Sequence, residues 1–203
     1  MKRIGIFGGS FDPVHNAHVA LARVALEQLE LDELRWVPVW QAWQKTRELA
    51  PAVHREAMVR LAIEDEPRFV LERCELRRRG ISFTLDTVRE LEAATPNVDW
   101  FLILGQDQYA GLHTWRDWRE LVGMVTLVIA PRAGAPEVNE HVARSAHRTV
   151  ALPMMSESST DIRSLLAAGQ PIDALVPAAV ARYIERHHLY QPTLDQGGAH
   201  LRS

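Results

Sequence analysis

Residues 3–20 read RIGIFGGSFDPVHNAHVA, an apolar run that stops at two glycines, turns through Asp12 and Pro13, and resumes around two histidines. The run "RIGIF" has strand length, and from Ala17 to Leu29 the residues Leu21, Val24, Ala25 and Leu29 recur at helical spacing. This is one βα unit. Gly8 and Gly9 follow the strand directly, where glycine permits positive φ and lets the backbone approach a ligand with no Cβ in between. Asn16 is the expected N-cap of the helix, whose free amides and dipole attract anions, with His18 in its first turn as an added donor.

The same alternation runs outward along the chain. Strands are expected at "LRWVPV", "RFVL" after Pro67, "DWFLIL", "MVTLVIA" and "TVALP". Between and after them lie helices at "HREAMVRLAI", with Met58, Leu61 and Ala62 on one face, and "FTLDTVRELEAA", with Leu85, Val88 and Leu91 inward. Two closing helices follow, "SSTDIRSLLAAG", ending at Gly169, and "VPAAVARYIERHH", opening near Pro177. Residues 40–51, 131–148 and 191–203 show no clear period, and 191–203 reads as a frayed tail after a single domain over 1–190. Strands separated by helices require crossovers, so the fold class is α/β: a doubly wound parallel sheet in a three-layer αβα, Rossmann-like arrangement. Ligands of such sheets lie beyond the carboxyl ends of the strands, at the switch in strand order.

Composition narrows the function. With 23 basic and 26 acidic residues among 203, the formal charge of −3 gives no basic excess for nonspecific nucleic-acid binding, so phosphate must be held locally. No apolar stretch has the form of a signal peptide or membrane span, and the only cysteine, Cys74, gives no disulfide framework. A cytoplasmic protein is expected, with no nucleic-acid or membrane partner and an oligomeric state that the sequence leaves open. Cys74 has no histidine near it in sequence and reads as incidental.

The opening turn by itself leaves several readings open: a capped helix with two half-exposed histidines, a metal pair, or a dinucleotide site. The H-E-x-x-H frame and the G-x-G-x-x-G pattern that would favour the last two are missing. The stretch "SESSTDIRSLL" is a capping box at Ser158 and Asp161, and also a potential anion site through Ser158, Ser159, Thr160 and Arg163.

The whole string "GGSFDPVHNAH" resembles the Gly-Gly-(Thr/Ser)-Phe-Asp-Pro turn and His-x-Gly-His motif of the nucleotidylyltransferase superfamily. Together with Lys45, "HREAMVRLAI", "SFTLDTVREL", "FLILGQDQ", "LHTWRDWREL", "VIAPR", "SSTDIR" and "LVPAAVARYIERHHLY", it is similar to the bacterial nicotinate-nucleotide adenylyltransferase family over about residues 3–190. The family's glycine is Ala17 here, and the histidine of its Pro-Pro-His-Lys run is Gln44.

The resemblance implies transfer of AMP from ATP to nicotinate mononucleotide, giving deamido-NAD and pyrophosphate. It implies a catalytic group of His18, His15 and Arg163. ATP would meet Gly8, Gly9, Ser10, Phe11, His15, His18, Asp107, Ser158, Ser159, Thr160 and Arg163. Nicotinate mononucleotide would meet Lys45, Thr84, Trp115 and Arg132, with Trp115 stacked on the pyridinium ring and Trp118 filling the core. Mg²⁺ is expected as part of the ATP complex, with no dedicated protein ligands. Two alternatives stay open: a superfamily enzyme acting on pantetheine phosphate, against which length and "TWRDW" argue, and a nucleotide-binding regulator without turnover, which Ala17 keeps in view.

Overall fold

The computed structural model describes residues 1–41, 47–131, 134, 136–151 and 157–191. Six strands form one sheet: β1 (Lys2–Gly9), β2 (Glu33–Pro38), β3 (Phe69–Leu71), β4 (Val98–Gly105), β5 (Thr126–Ala130) and β6 (His147–Thr149). Nine helices accompany them among the described residues: α1 (Asn16–Gln28), α2 (Ala52–Ile63), α3 (Cys74–Arg78), α4 (Thr84–Ala94), α5 (Gln106–Ala110), α6 (Trp118–Met124), α7 (Glu140–Ala143), α8 (Ser159–Ala167) and α9 (Ala178–Arg186). The strand order is β3-β2-β1-β4-β5-β6 and every pairing is parallel. The order therefore reverses between β1 and β4, and the two carboxyl ends at that reversal are Gly8–Gly9 and Gly105.

Strand β1 is apolar on both faces because each face is covered. Ile4 and Ile6 enter one core with Leu85, Val88, Leu102 and Leu121, beneath α4 and α6. Phe7 enters the other with Leu26, Trp36, Met58, Ile162 and Val180, beneath α1, α2, α8 and α9. At Gly5 an added Cβ would approach Leu31, Ile103 and Leu34 to 2.9–3.2 Å, so only hydrogen fits there. The expected inward residues Leu85, Val88 and Leu91 of α4 are all buried.

Three expectations need correcting. The N-cap of α1 is His15, not Asn16: the His15 carbonyl accepts from His18 N–H at 3.0 Å. Asn16 is drawn to the segment before α9, donating its side-chain amide to the Ala174 carbonyl at 3.0 Å and its backbone N–H to Leu175 at 2.9 Å. The last strand is His147–Thr149 instead of residues 149–153, of which 152 and 153 lie outside the described residues. Trp118 packs against the core beneath α4 and α6 but is only half-buried, with Arg119 over its ring, whereas the tryptophans that fill the core are Trp36 and Trp100, at 0% and 4% exposure. The helix expected to end at Gly169 does so, with that glycine at φ 67 just past the last turn, a conformation glycine adopts without strain.

Candidate functional site

A cavity of about 340 Å³ opens at the switch between β1 and β4. At one end it is lined by Gly8, Gly9, Ser10, His18 and Ser159, and at the other by Glu75, Ser82, Thr84, Thr87 and Trp115, with Gly105 and Gln108 between. Residues far apart in sequence thus meet over the sheet.

The glycines do not act through positive φ: neither Gly8, Gly9 nor Gly105 is among the positive-φ residues. Their role is the missing Cβ. A Cβ at Gly8 or Gly105 would meet no protein atom within 4 Å, so at both strand ends the space is left to whatever enters the cavity. Gly9 differs, because its Cβ would press on the Phe11 ring at 3.0–3.3 Å. Gly8→Ala is expected to fold with an unchanged thermal midpoint while raising the apparent KM for nucleotide roughly tenfold, since the methyl overpacks the bound state only. Thermal unfolding and steady-state kinetics on the same preparation check both halves.

His18 projects from the first turn of α1 into the cavity and packs edge-on against Phe11, ring centroids 5.2 Å apart. Its Nδ1 accepts the His15 backbone N–H at 3.2 Å. Because an amide can only donate, a neutral His18 ring must carry its proton on Nε2. His15 lies behind it, 6% exposed, with ring centroids 3.7 Å apart, and it is absent from the cavity lining. Burial pushes its imidazole down to about 4, so the ring is neutral at neutral pH and brings no charge to the site. Phe11 also stays out of the cavity: it is 1% exposed and holds φ 47 inside the core beside Phe7 and Trp36.

Helix α8 brings its N-terminus to the opening turn. Ser158 caps it, accepting from Asp161 N–H at 3.1 Å and donating to that carboxylate at 2.6 Å, which is the expected spacing in use. The Ser159 hydroxyl donates to the Pro13 carbonyl at 3.0 Å. Arg163 donates to the Asp12 carbonyl at 2.7 Å and to the Thr160 hydroxyl at 3.1 Å. The α8 helix and the α1 helix therefore present adjoining positive ends beside Gly9 and Ser10.

Beneath the turn is a charge cluster that sequence reasoning did not single out. Asp12 is fully buried; its carboxylate pairs with Arg47 and accepts from the Ala50 N–H at 3.2 Å and the Tyr190 hydroxyl at 2.7 Å. Arg55, 1% exposed, donates to the carbonyls of Ala50, Ser10, Val39 and Trp40 at 2.6–3.0 Å. Arg47, Arg55 and Arg163 set three guanidinium groups against the one Asp12 carboxylate, an excess of positive charge behind the serine end of the cavity.

At the other end, Trp115 is half-buried and its buried Nε1 has no hydrogen-bond partner among the described residues. Thr84 is the first residue of α4, whose N-cap Phe83 offers no side-chain oxygen to its amides. Glu75 is buried below, accepting from the Thr87 hydroxyl at 2.6 Å, and desolvation raises its carboxyl above the usual range. Asp107 is exposed and outside the lining; Gln108, one residue on along α5, takes the place expected for it. Lys45, Gln44 and Arg132 lie outside the described residues. Ala17 is half-buried on α1 and does not line the cavity. Cys74 is buried, with its thiol pushed up to about 12 by desolvation beside Glu72 and Glu75, which leaves it unreactive. Gly105 was within reach of the strand-end rule that located Gly8; Arg55, Glu75 and Ser82 carry no such signal.

Comparison with known proteins gives a consistent picture. Residues 6–165 match the cytidylyltransferase-like family. A protein of Methylibium petroleiphilum named probable nicotinate-nucleotide adenylyltransferase is 52% identical over 94% of this chain and 93% of its own. One of the same name from Herpetosiphon aurantiacus is 39% identical over 94% of this chain and 99% of its own. Among solved structures, Plasmodium falciparum nicotinic acid mononucleotide adenylyltransferase complexed with NaAD superposes with a TM-score of 0.79 at 21% identity, covering 94% of this chain and 98% of that one. At that identity the likeness speaks for the fold.

Proposed function

Since the chain belongs to the cytidylyltransferase-like nucleotidyltransferase superfamily and is homologous to nicotinate-nucleotide adenylyltransferases, we propose that it transfers AMP from Mg·ATP to nicotinate mononucleotide, releasing pyrophosphate and deamido-NAD. The observation that carries this reading is the single cavity joining His18 and the α8 N-terminus at one end to Trp115 and Thr84 at the other. It suits a substrate pair whose phosphates meet at the His18 end and whose pyridinium ring lies at the far end.

The chemistry asks for little from protein bases. The phosphate of the mononucleotide has its second pKa near about 6 and is already mostly dianionic at neutral pH, so it attacks the α-phosphorus unaided. What remains is alignment of two polyanions and support of the charge growing toward pyrophosphate. His18 Nε2–H is the proposed donor to the α-phosphate as it becomes pentacoordinate. The α8 amides, Ser159 and Arg163 would hold the outer phosphates, helped by the positive cluster around Asp12. Magnesium enters with ATP and shields its phosphates, and Lys45 and Arg132 are the further cations proposed to reach the nucleotides. His15 is assigned a different part from the phosphate contact expected of it: neutral and buried, it fixes the tautomer of His18 through its backbone N–H.

Trp115 is the proposed stacking partner of the pyridinium, an arrangement favoured by about 0.5–2 kcal/mol. The position of Ala17 outside the cavity lining supports turnover over a purely regulatory role, since its methyl does not crowd that space. One buried cysteine supports a cytosolic setting. The test is pyrophosphate release from Mg·ATP with nicotinate mononucleotide, nicotinamide mononucleotide or phosphopantetheine in parallel. Release with the nicotinate form is expected to be fastest; release only with phosphopantetheine, or with none, contradicts the proposal.

A further inference from the structure

We propose that Tyr190 is a positioning residue for the phosphate end of the cavity, acting through Asp12 on Arg163; this rests on the phosphate-site reading above. Tyr190 stands four residues beyond α9, at φ 63, and sends its hydroxyl 2.7 Å to Asp12 Oδ1. The ring is half-buried, and desolvation together with the neighbouring carboxylate raises the phenol, so it stays a donor.

Asp12 has no solvent to share its charge with, so its orientation is set by three donors: Tyr190 O–H, Ala50 N–H and Arg47. The backbone of the same residue holds Arg163 through its carbonyl, and the next carbonyl, of Pro13, holds Ser159. The side chain of Asp12 therefore answers to the segment after α9 while its main chain aims two groups of the α8 N-terminus. Without the Tyr190 hydroxyl, Oδ1 keeps one donor and the carboxylate turns toward the nearby guanidiniums, Arg163 among them. An Arg163 drawn into an ion pair lets go of the Asp12 carbonyl and the Thr160 hydroxyl that hold it beside the α8 N-terminus. The ring end, at Trp115 and Thr84, shares none of these bonds. A role confined to stability would weaken both ends alike.

The experiment is calorimetric titration of the full chain with tripolyphosphate plus Mg²⁺ and, separately, with nicotinate mononucleotide, for wild type, Tyr190→Phe, Asp12→Asn, the two combined, and Tyr183→Phe. Tyr183 is the control, since its hydroxyl meets His54 at 3.0 Å, away from the turn. Tyr190→Phe is expected to bind tripolyphosphate about tenfold more weakly, the loss typical of one hydrogen bond to a charged group, and the mononucleotide within about twofold. Asp12→Asn has no charge with which to draw Arg163 away and keeps the main-chain carbonyl that holds it, so combining it with Tyr190→Phe is expected to restore tripolyphosphate affinity to within about twofold of Asp12→Asn alone. Unchanged tripolyphosphate affinity in Tyr190→Phe, parallel loss of both ligands, or the same loss whether residue 12 is Asp or Asn overturns the proposal. Wild-type protein that binds no tripolyphosphate overturns the phosphate-site reading itself, and the proposal with it.

Discussion

Replacing His18 by alanine is expected to lower kcat by about two to three orders of magnitude, the usual consequence of removing one donor to a developing anionic centre. The fold should survive. The ring is half-exposed at the cavity, and the bond it accepts from His15 N–H can be remade by water entering from that side. The neighbours Phe7 and Phe11 keep their mutual edge contact at 5.6 Å. Turnover with nicotinate mononucleotide and Mg·ATP, set beside the thermal midpoint of the same protein, decides the matter. A variant turning over within a few fold of wild type would remove His18 from the reaction. His18→Gln sharpens the point, because an amide in that position keeps a neutral donor and should recover part of the rate.

Arg55→Met is expected to cost about 3–5 kcal/mol of stability, a shift on the order of 10 °C in a chain of this size. Methionine replaces the buried stem but none of the donors, and it leaves the carbonyls of Ser10, Val39, Trp40 and Ala50 without the shared guanidinium that ties them together. Those carbonyls belong to the segments that leave β1 and β2 on the way to the cavity, so the loss also loosens the opening turn. Lysine is no remedy: one ammonium with three donors cannot span four acceptors that a planar guanidinium reaches together. Heat or urea unfolding measures the effect. A shift below about 1 kcal/mol would mean that Arg55 fills space without joining the loops.

The contrast between these two residues shows where sequence reading stops. His18 stands out because it occupies the first turn of a helix that follows a strand and a glycine pair, a local pattern with a local cause. Arg55 sits in a helix where an arginine ordinarily reads as part of the solvated face, and only the approach of the connections after β1 and β2 turns it inward. Asp12 and Tyr190 are 178 residues apart, so their bond leaves no trace in spacing or period. Periodicity did reach the sheet, the five long helices α1, α2, α4, α8 and α9, and the inward faces of α4 and α1. It did not reach α3, α5, α6 and α7, of 5, 5, 7 and 4 residues, which are too short to display a helical repeat. Gly8 and Gly9 were marked for a conformation they do not adopt, yet Gly8 lies at the cavity because the argument from a missing Cβ holds independently of φ. The exchange of Asp107 for Gln108 has the same origin: one position on a helical turn rotates a side chain by about 100°, and the strand end alone does not fix that angle.

The most direct test of the account follows the phosphorus. ATP labelled in its α-phosphate is incubated with the protein, Mg²⁺ and nicotinate mononucleotide, and the products are separated. The account predicts that the label moves into deamido-NAD in step with unlabelled pyrophosphate; label that stays in ATP, or that reaches a product only when phosphopantetheine replaces the mononucleotide, would contradict it.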